Sequence, residues 1–238
     1  MIFVILLMML SKNRRSEKIR HICQQNNWQY QEFINFTDSI KAANLGLLNY
    51  SQNIIFRHII SADDRSKGIG FNFFDCRSIE PSGIHNCSAL LFNLTLPAEL
   101  NSLHVCFSAK SESLENNKNS SAFGHSGIDK KYFDRIRHMQ KLKRLTSLFP
   151  HAHAFPLHEI FTNNAHQLEK FLAPHIQLGA SQESPFANWL LAHPHLHIEI
   201  SNGMLLAHQP NYLLDDEAII PAIDDIARLS LSLSSDLN

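Results

Sequence analysis

The chain lacks the glycine-rich and nucleophile signatures of the common enzyme classes. There is no G-x-G-x-x-G, no G-x-x-x-x-G-K and no G-x-S-x-G, so dinucleotide, P-loop and serine-hydrolase readings have no motif to rest on. No serine has a histidine and an acid around it in a motif. The adjacent carboxylates Asp63-Asp64 and Asp224-Asp225 point different ways on a strand or a helix, so neither makes an acid-base dyad. C-x-x-C is also missing: the four cysteines, Cys23, Cys76, Cys87 and Cys106, are not spaced as a zinc knuckle. Cys76, Cys87 and Cys106 lie in or beside apolar runs, where a thiol behaves as a small hydrophobe. They read as reduced, structural residues of a reducing compartment.

Excess charge of one sign is absent too. The formal net charge is -1, which gives no general pull toward nucleic acid. No internal repeat occurs and strands do not alternate regularly with helices, which excludes a doubly wound sheet. The expected class is α+β, with an antiparallel sheet or sheets and flanking helices in one or two lobes.

What is present begins with "MIFVILLMML", followed by "SKNRRSEKIR". A cleavable signal peptide has its positive charge ahead of the apolar run and a small-residue site after it. Here the order is reversed, as in an anchor whose following domain lies on the cytoplasmic side. Residues 1–13 are therefore read as an apolar N-terminal helix and membrane segment. Ile2, Phe3, Val4, Ile5, Leu6 and Leu7 would touch lipid, with Arg14 and Arg15 at the headgroups. Ten helical residues reach only about 15 Å, against about 30 Å of hydrocarbon, so the segment is a short or truncated anchor or one that inserts shallowly. Docking of this helix on the core is the other reading.

Residues 14–26 read as a helix that "NNW" ends. β-type runs follow at 53–60, 69–76, 87–96 and 103–108, parted by turn residues. The polar stretch 110–128 reads as a linker or loop between 14–109 and 129–238, which form two lobes or one domain. A basic helix is expected over 129–149, its cations either solvated or facing anionic lipid. Beyond it come a strand at 155–162, helices at 163–175 and 184–194, a hairpin and a final helix at 214–233. Trp28 and Trp189 read as core anchors, with a ligand platform as the alternative.

The hairpin carries the one cluster of potential chemistry. In "HPHLHIEISNGMLLAHQP", residues 193–210, Asn202-Gly203 predicts a type I′ turn. That turn sets His197 opposite His208, Glu199 opposite Leu206 and Ser201 opposite Met204. By strand alternation His195, His197, Glu199 and His208 then share one face, and Leu196, Ile198, Ile200, Leu205 and Ala207 the other. The expectation is a polar, half-buried outer face. The alternative is a metal site on the same residues, zinc first. "HAH" at His151 and His153 repeats the spacing in a loop.

The segment "WLLAHPHLHIEISNGMLLAHQP" (189–210), with the order apolar N-terminus, basic run, short helix and Trp28-Gln29-Tyr30, resembles a group of bacterial proteins. In that group a single N-terminal transmembrane helix precedes a cytoplasmic α+β domain. The resemblance implies attachment to the inner membrane with the main domain in the cytoplasm. It implies no cofactor and no catalytic residue. The function expected is a membrane-associated binding or scaffold domain with no identifiable catalytic site, nucleic-acid partner or small-molecule ligand. The second expectation is a metal-binding protein or metal-dependent enzyme.

Overall fold

A computed structural model of the chain describes residues 2–34, 40–41, 43–49, 54–64, 69–80, 83–110, 141–145, 154–175 and 185–235. Side chains are described throughout these segments except at 2–13, 63–64, 69, 79–80, 83–84 and 235. The expected linker beyond Lys110, most of the basic helix and the "HAH" loop fall outside the described residues.

The strands are β1 (Gln29–Phe33), β2 (Ile54–Asp64), β3 (Ile69–Glu80), β4 (Gly83–Asn93), β5 (His104–Ala109), β6 (Lys143–Arg144), β7 (His158–Thr162), β8 (His197–Ser201) and β9 (Met204–His208). They form one nine-stranded sheet in the order β1-β2-β3-β4-β9-β8-β5-β7-β6. All neighbours are antiparallel. The fold is therefore α+β, as the order of elements along the sequence predicts. The expected strand runs all appear; β1, which follows the first helix, has no clear sequence signal. The late hairpin β8–β9 lies between β4 and β5, so residues from both sides of 110–128 share one sheet.

Both faces of the sheet are covered. On the first, Phe71, Phe73, Leu90, Phe92, Val105, Phe107, Ile198 and Ile200 meet helices. These are α1 (Ile2–Asn26), α3 (Ala165–Leu172), α4 (Pro185–Ala192) and α5 (Ile219–Ser235). In α5 the buried residues Ile219, Ile223, Ile226, Ser230 and Leu233 follow helical spacing, which is why that stripe seeks the sheet. Asn164 caps α3 by accepting the Gln167 N–H at 3.1 Å, as the Asn-Asn-Ala start predicts. Across the second face lie residues 43–49, including the one-turn helix α2 (Gly46–Asn49). Leu45, Leu47 and Leu48 pack there with Phe74, Leu91 and Leu206.

The second half of α1 belongs to the domain. Ile19 and Cys23 are buried in the first core. Arg15 holds Asp75 with two bonds, Nε to Oδ2 at 2.7 Å and Nη2 to Oδ1 at 2.9 Å, and reaches Asp216 at 3.0 Å. The helix ends at Asn27, whose φ of 55° is left-handed, with Trp28 N–H returning to the Cys23 carbonyl at 2.9 Å. That is a Schellman closure, for which asparagine is a suitable residue.

One expected element is corrected. The basic helix cannot run unbroken to residue 149, because Lys141 is left-handed at φ 54° and Lys143–Arg144 is extended. Those two residues pair with Thr162 and Phe161 as the edge strand β6. Apolar residues at three-residue steps drift around a helix axis, so the local pattern holds this end of the segment weakly. The free edge of β7 competes successfully for it.

Candidate functional site

The hairpin is built as its sequence predicts. Asn202 and Gly203 have φ of 49° and 70°, and the register pairs His197 with His208, Glu199 with Leu206 and Ser201 with Met204. Gly203 is required twice over: its φ is positive, and a Cβ there would lie 3.2 Å from the Leu94 carbonyl oxygen. The environment is not the one expected. His197 and Glu199 are 0% exposed and His208 is 1% exposed, so this face is interior and not a wetted rim. The hairpin sits mid-sheet, and residues 43–49 cover it.

A carboxylate in such a place needs donors. Glu199 accepts the Gly46 N–H at 3.0 Å on Oε1 and 2.8 Å on Oε2, and His104 Nε2 lies 2.6 Å from Oε1. His197 Nε2 is 4.0 Å from Oε2, and Cys106 Sγ lies 3.5 Å from the same nitrogen. The His197 and His208 rings sit 4.8 Å apart at 48°. Cys87 stands opposite Cys76 in the β3–β4 register, with His208 near enough to act on it electrostatically. Hydrogen bonding from Cys76 draws the Cys87 thiol down to about 6 against burial, with His208 adding to the effect. The Cys76 thiol moves well above its ordinary range, through the same bond and through burial.

The result is a polar seam across β5, β8, β9, β4 and β3. His195 is not part of the hairpin strands; it lies in the turn before β8. Among the described residues no group of three or more His, Cys, Asp and Glu side chains is arranged to hold a metal ion. The Glu199 oxygens are already engaged by Gly46 and His104. What the seam does is fasten residues 43–49 to the sheet. Sequence reasoning missed His104, Cys106 and Gly46, since nothing local announces a partner 153 residues away.

A cleft opens on the other face, between α5 and strands β4 and β9, with a volume of about 520 Å³. Leu90, Leu196, Ala207, Leu214, Ala222 and Ile226 make it mainly apolar. At one end stands a polar group carried by α4 and α5. Trp189 stacks on His193 at 4.1 Å and 22°. Trp189 Nε1–H donates to Asp225 Oδ2 at 3.1 Å, and His193 Nε2 lies 3.0 Å from the same oxygen. His193 Nδ1 faces the Trp189 carbonyl at 2.7 Å, so both ring nitrogens meet acceptors. Arg228 reaches Asp225 Oδ1 at 3.5 Å and lines the opening. The Ser88 hydroxyl in the lining is committed: it donates to Asp75 at 2.7 Å and accepts the Leu214 N–H at 3.0 Å. Trp189 and His193 are one helical turn apart, a spacing that places side chains on one face. Asp225 carries no such signal, and its pairing with Asp224 draws attention to the wrong neighbour.

The leader residues expected at a membrane divide. Arg14 is exposed, whereas Arg15 is turned inward onto Asp75 and Asp216. The side chains of Ile2 to Leu7 lie outside the description. Among the described residues no helix is long and apolar enough to cross a membrane; ten apolar residues give way too soon to Lys12, Arg14 and Arg15.

Searches of protein-family models, of curated proteins and of solved structures find no match to this chain.

Proposed function

We propose that the protein is a binding module that takes a small amphipathic molecule in the α5 cleft and is held at a membrane surface by its N-terminal segment. The cleft carries the reading. Ligand sites are concave and mostly apolar, with a few placed polar groups that fix orientation, and a volume of about 520 Å³ is in the range for one. The apolar wall takes the greasy part of the ligand, and Arg228 with the Trp189–His193–Asp225 group takes the polar end.

Membrane association rests on the apolar run followed by Lys12, Arg14, Lys18 and Arg20. A run of this length suits shallow, interfacial insertion, with the domain on the cytoplasmic side of a bacterial inner membrane.

The test is titration with 1-anilinonaphthalene-8-sulfonate, an apolar fluorophore bearing one anion. Saturable one-to-one binding is expected. Ala222→Trp, which fills the cleft from α5, weakens it at least about tenfold, or about 1.4 kcal/mol, while the melting temperature holds. Binding that does not saturate, or that ignores Ala222→Trp, contradicts the proposal.

A further inference from the structure

Cys76 and Cys87 are not merely two buried thiols. They are Cα partners in the antiparallel register of β3 and β4. Directly opposed residues place Cα atoms about 4.5 to 5.5 Å apart, inside the span a disulfide bridges. Interaction with Cys76 is the largest influence on the Cys87 thiol. Neither of the other cysteines has such a partner: Cys23 lies on α1, and Cys106 stands opposite Phe161 and Glu199. None of the four is in a disulfide.

The pair is also reached from outside, narrowly. A crevice of about 20 Å³ is lined by Cys76, Cys87, His85, Asn86, Pro210 and Asn211. A space of that size holds one water-sized molecule. It is far too small for glutathione disulfide.

We propose that Cys76 and Cys87 are a peroxide-sensitive dithiol, which hydrogen peroxide converts to a cross-strand disulfide. The Cys87 thiolate attacks one peroxide oxygen. The S–O bond forms as the O–O bond breaks, and the departing hydroxide takes a proton from solvent to become water. Cys87 is then a sulfenic acid. Cys76 attacks the Cys87 sulfur and the S–S bond forms. The S–O bond breaks, and the hydroxide leaves as water with the Cys76 proton. Two thiols and one peroxide give one disulfide and two waters. The thiolate that starts this is available near neutrality, because the Cys76 hydrogen bond draws Cys87 down to about 6 and a thiolate is the attacking form.

The experiment uses the full reduced chain, treated with hydrogen peroxide or with glutathione disulfide. After unfolding in N-ethylmaleimide the peptides are mapped by mass spectrometry. Peroxide is expected to give a Cys76–Cys87 crosslinked peptide, with Cys23 and Cys106 still alkylated. Glutathione disulfide acts at least about a hundredfold more slowly, because access and not only thiolate content limits exchange. In Cys76→Ser, dimedone is expected to trap a sulfenic acid on Cys87. The wild-type map needs no variant, so a misfolded Cys76→Ser chain leaves the test intact. Oxidation of Cys23 or Cys106 as fast as the pair overturns the proposal. So does oxidation of Cys87 without a crosslink, equal reaction with glutathione disulfide, or no reaction with peroxide.

Discussion

Glu199 carries an unusual burden for one side chain. It is fully enclosed, and its oxygens serve Gly46 and His104 at once, joining a covering segment to two strands. Glu199→Leu keeps the volume but leaves the Gly46 N–H and His104 Nε2 without their acceptor. Each buried donor left without its acceptor costs about 1 to 3 kcal/mol; urea unfolding is expected to show a loss of that order or more, with Glu199→Gln losing less. His158 sets a second residue-scale expectation. Burial lowers it to about 4 from 6.5, while its bond to the Leu196 carbonyl opposes the shift. A base whose folded pKa is depressed stabilises the fold above its unfolded pKa. That stability drains away as pH falls from about 6.5 to about 4, by about 3 kcal/mol in all. His58, also lowered chiefly by burial, acts in the same direction. His158→Gln, which retains a donor for Leu196, is expected to flatten the urea-derived stability profile between pH 7 and pH 4 by most of that amount.

At the scale of elements, α1 does two jobs that divide along its length. Ile19 and Cys23 pack into the first core, and Arg15 ties the helix to Asp75. Ile19→Asp puts an unpaired carboxylate where the side chain is 0% exposed, and the domain is expected to unfold at room temperature. Deletion of residues 1–12 removes none of these contacts. The melting temperature of the shortened chain should therefore stay within a few degrees of the full chain's, while its co-flotation with phosphatidylglycerol vesicles is lost. Retained flotation would contradict the membrane reading. The hairpin shows what a sequence discloses at this scale. Asn202-Gly203 and strict alternation dictated turn type, register and face, since all three are local. Whether the histidine face meets water was not local, because the cover comes from residues 43–49 and the neighbours from β4 and β5. The alternation at 195–208 looks the same on an edge hairpin as on a central one. Likewise Lys143–Arg144 reads as part of a helix until the open edge of β7 is known.

For the whole molecule, the decisive feature is a wide antiparallel sheet enclosed on both sides, with its late hairpin set among its early strands. Burying both faces leaves little room for a site on the sheet itself. Clefts arise where a covering helix stands off from it, and α5 does so above Ala207 and Leu90. Small residues at the wall, Ala207, Ala218 and Ala222, keep that space open. Their convergence is not visible along the chain, where Trp189, His193 and Asp225 each draw a separate reading. The central claim is that this cleft is where the protein meets its ligand. It is tested most directly by energy transfer from Trp189 to bound 1-anilinonaphthalene-8-sulfonate in a Trp28→Phe chain, where Trp189 is the only tryptophan left. The account predicts that Trp189 emission falls in step with saturation of one site, with sensitised probe emission rising to match. Probe binding that leaves Trp189 emission unchanged would place the ligand elsewhere and contradict the account.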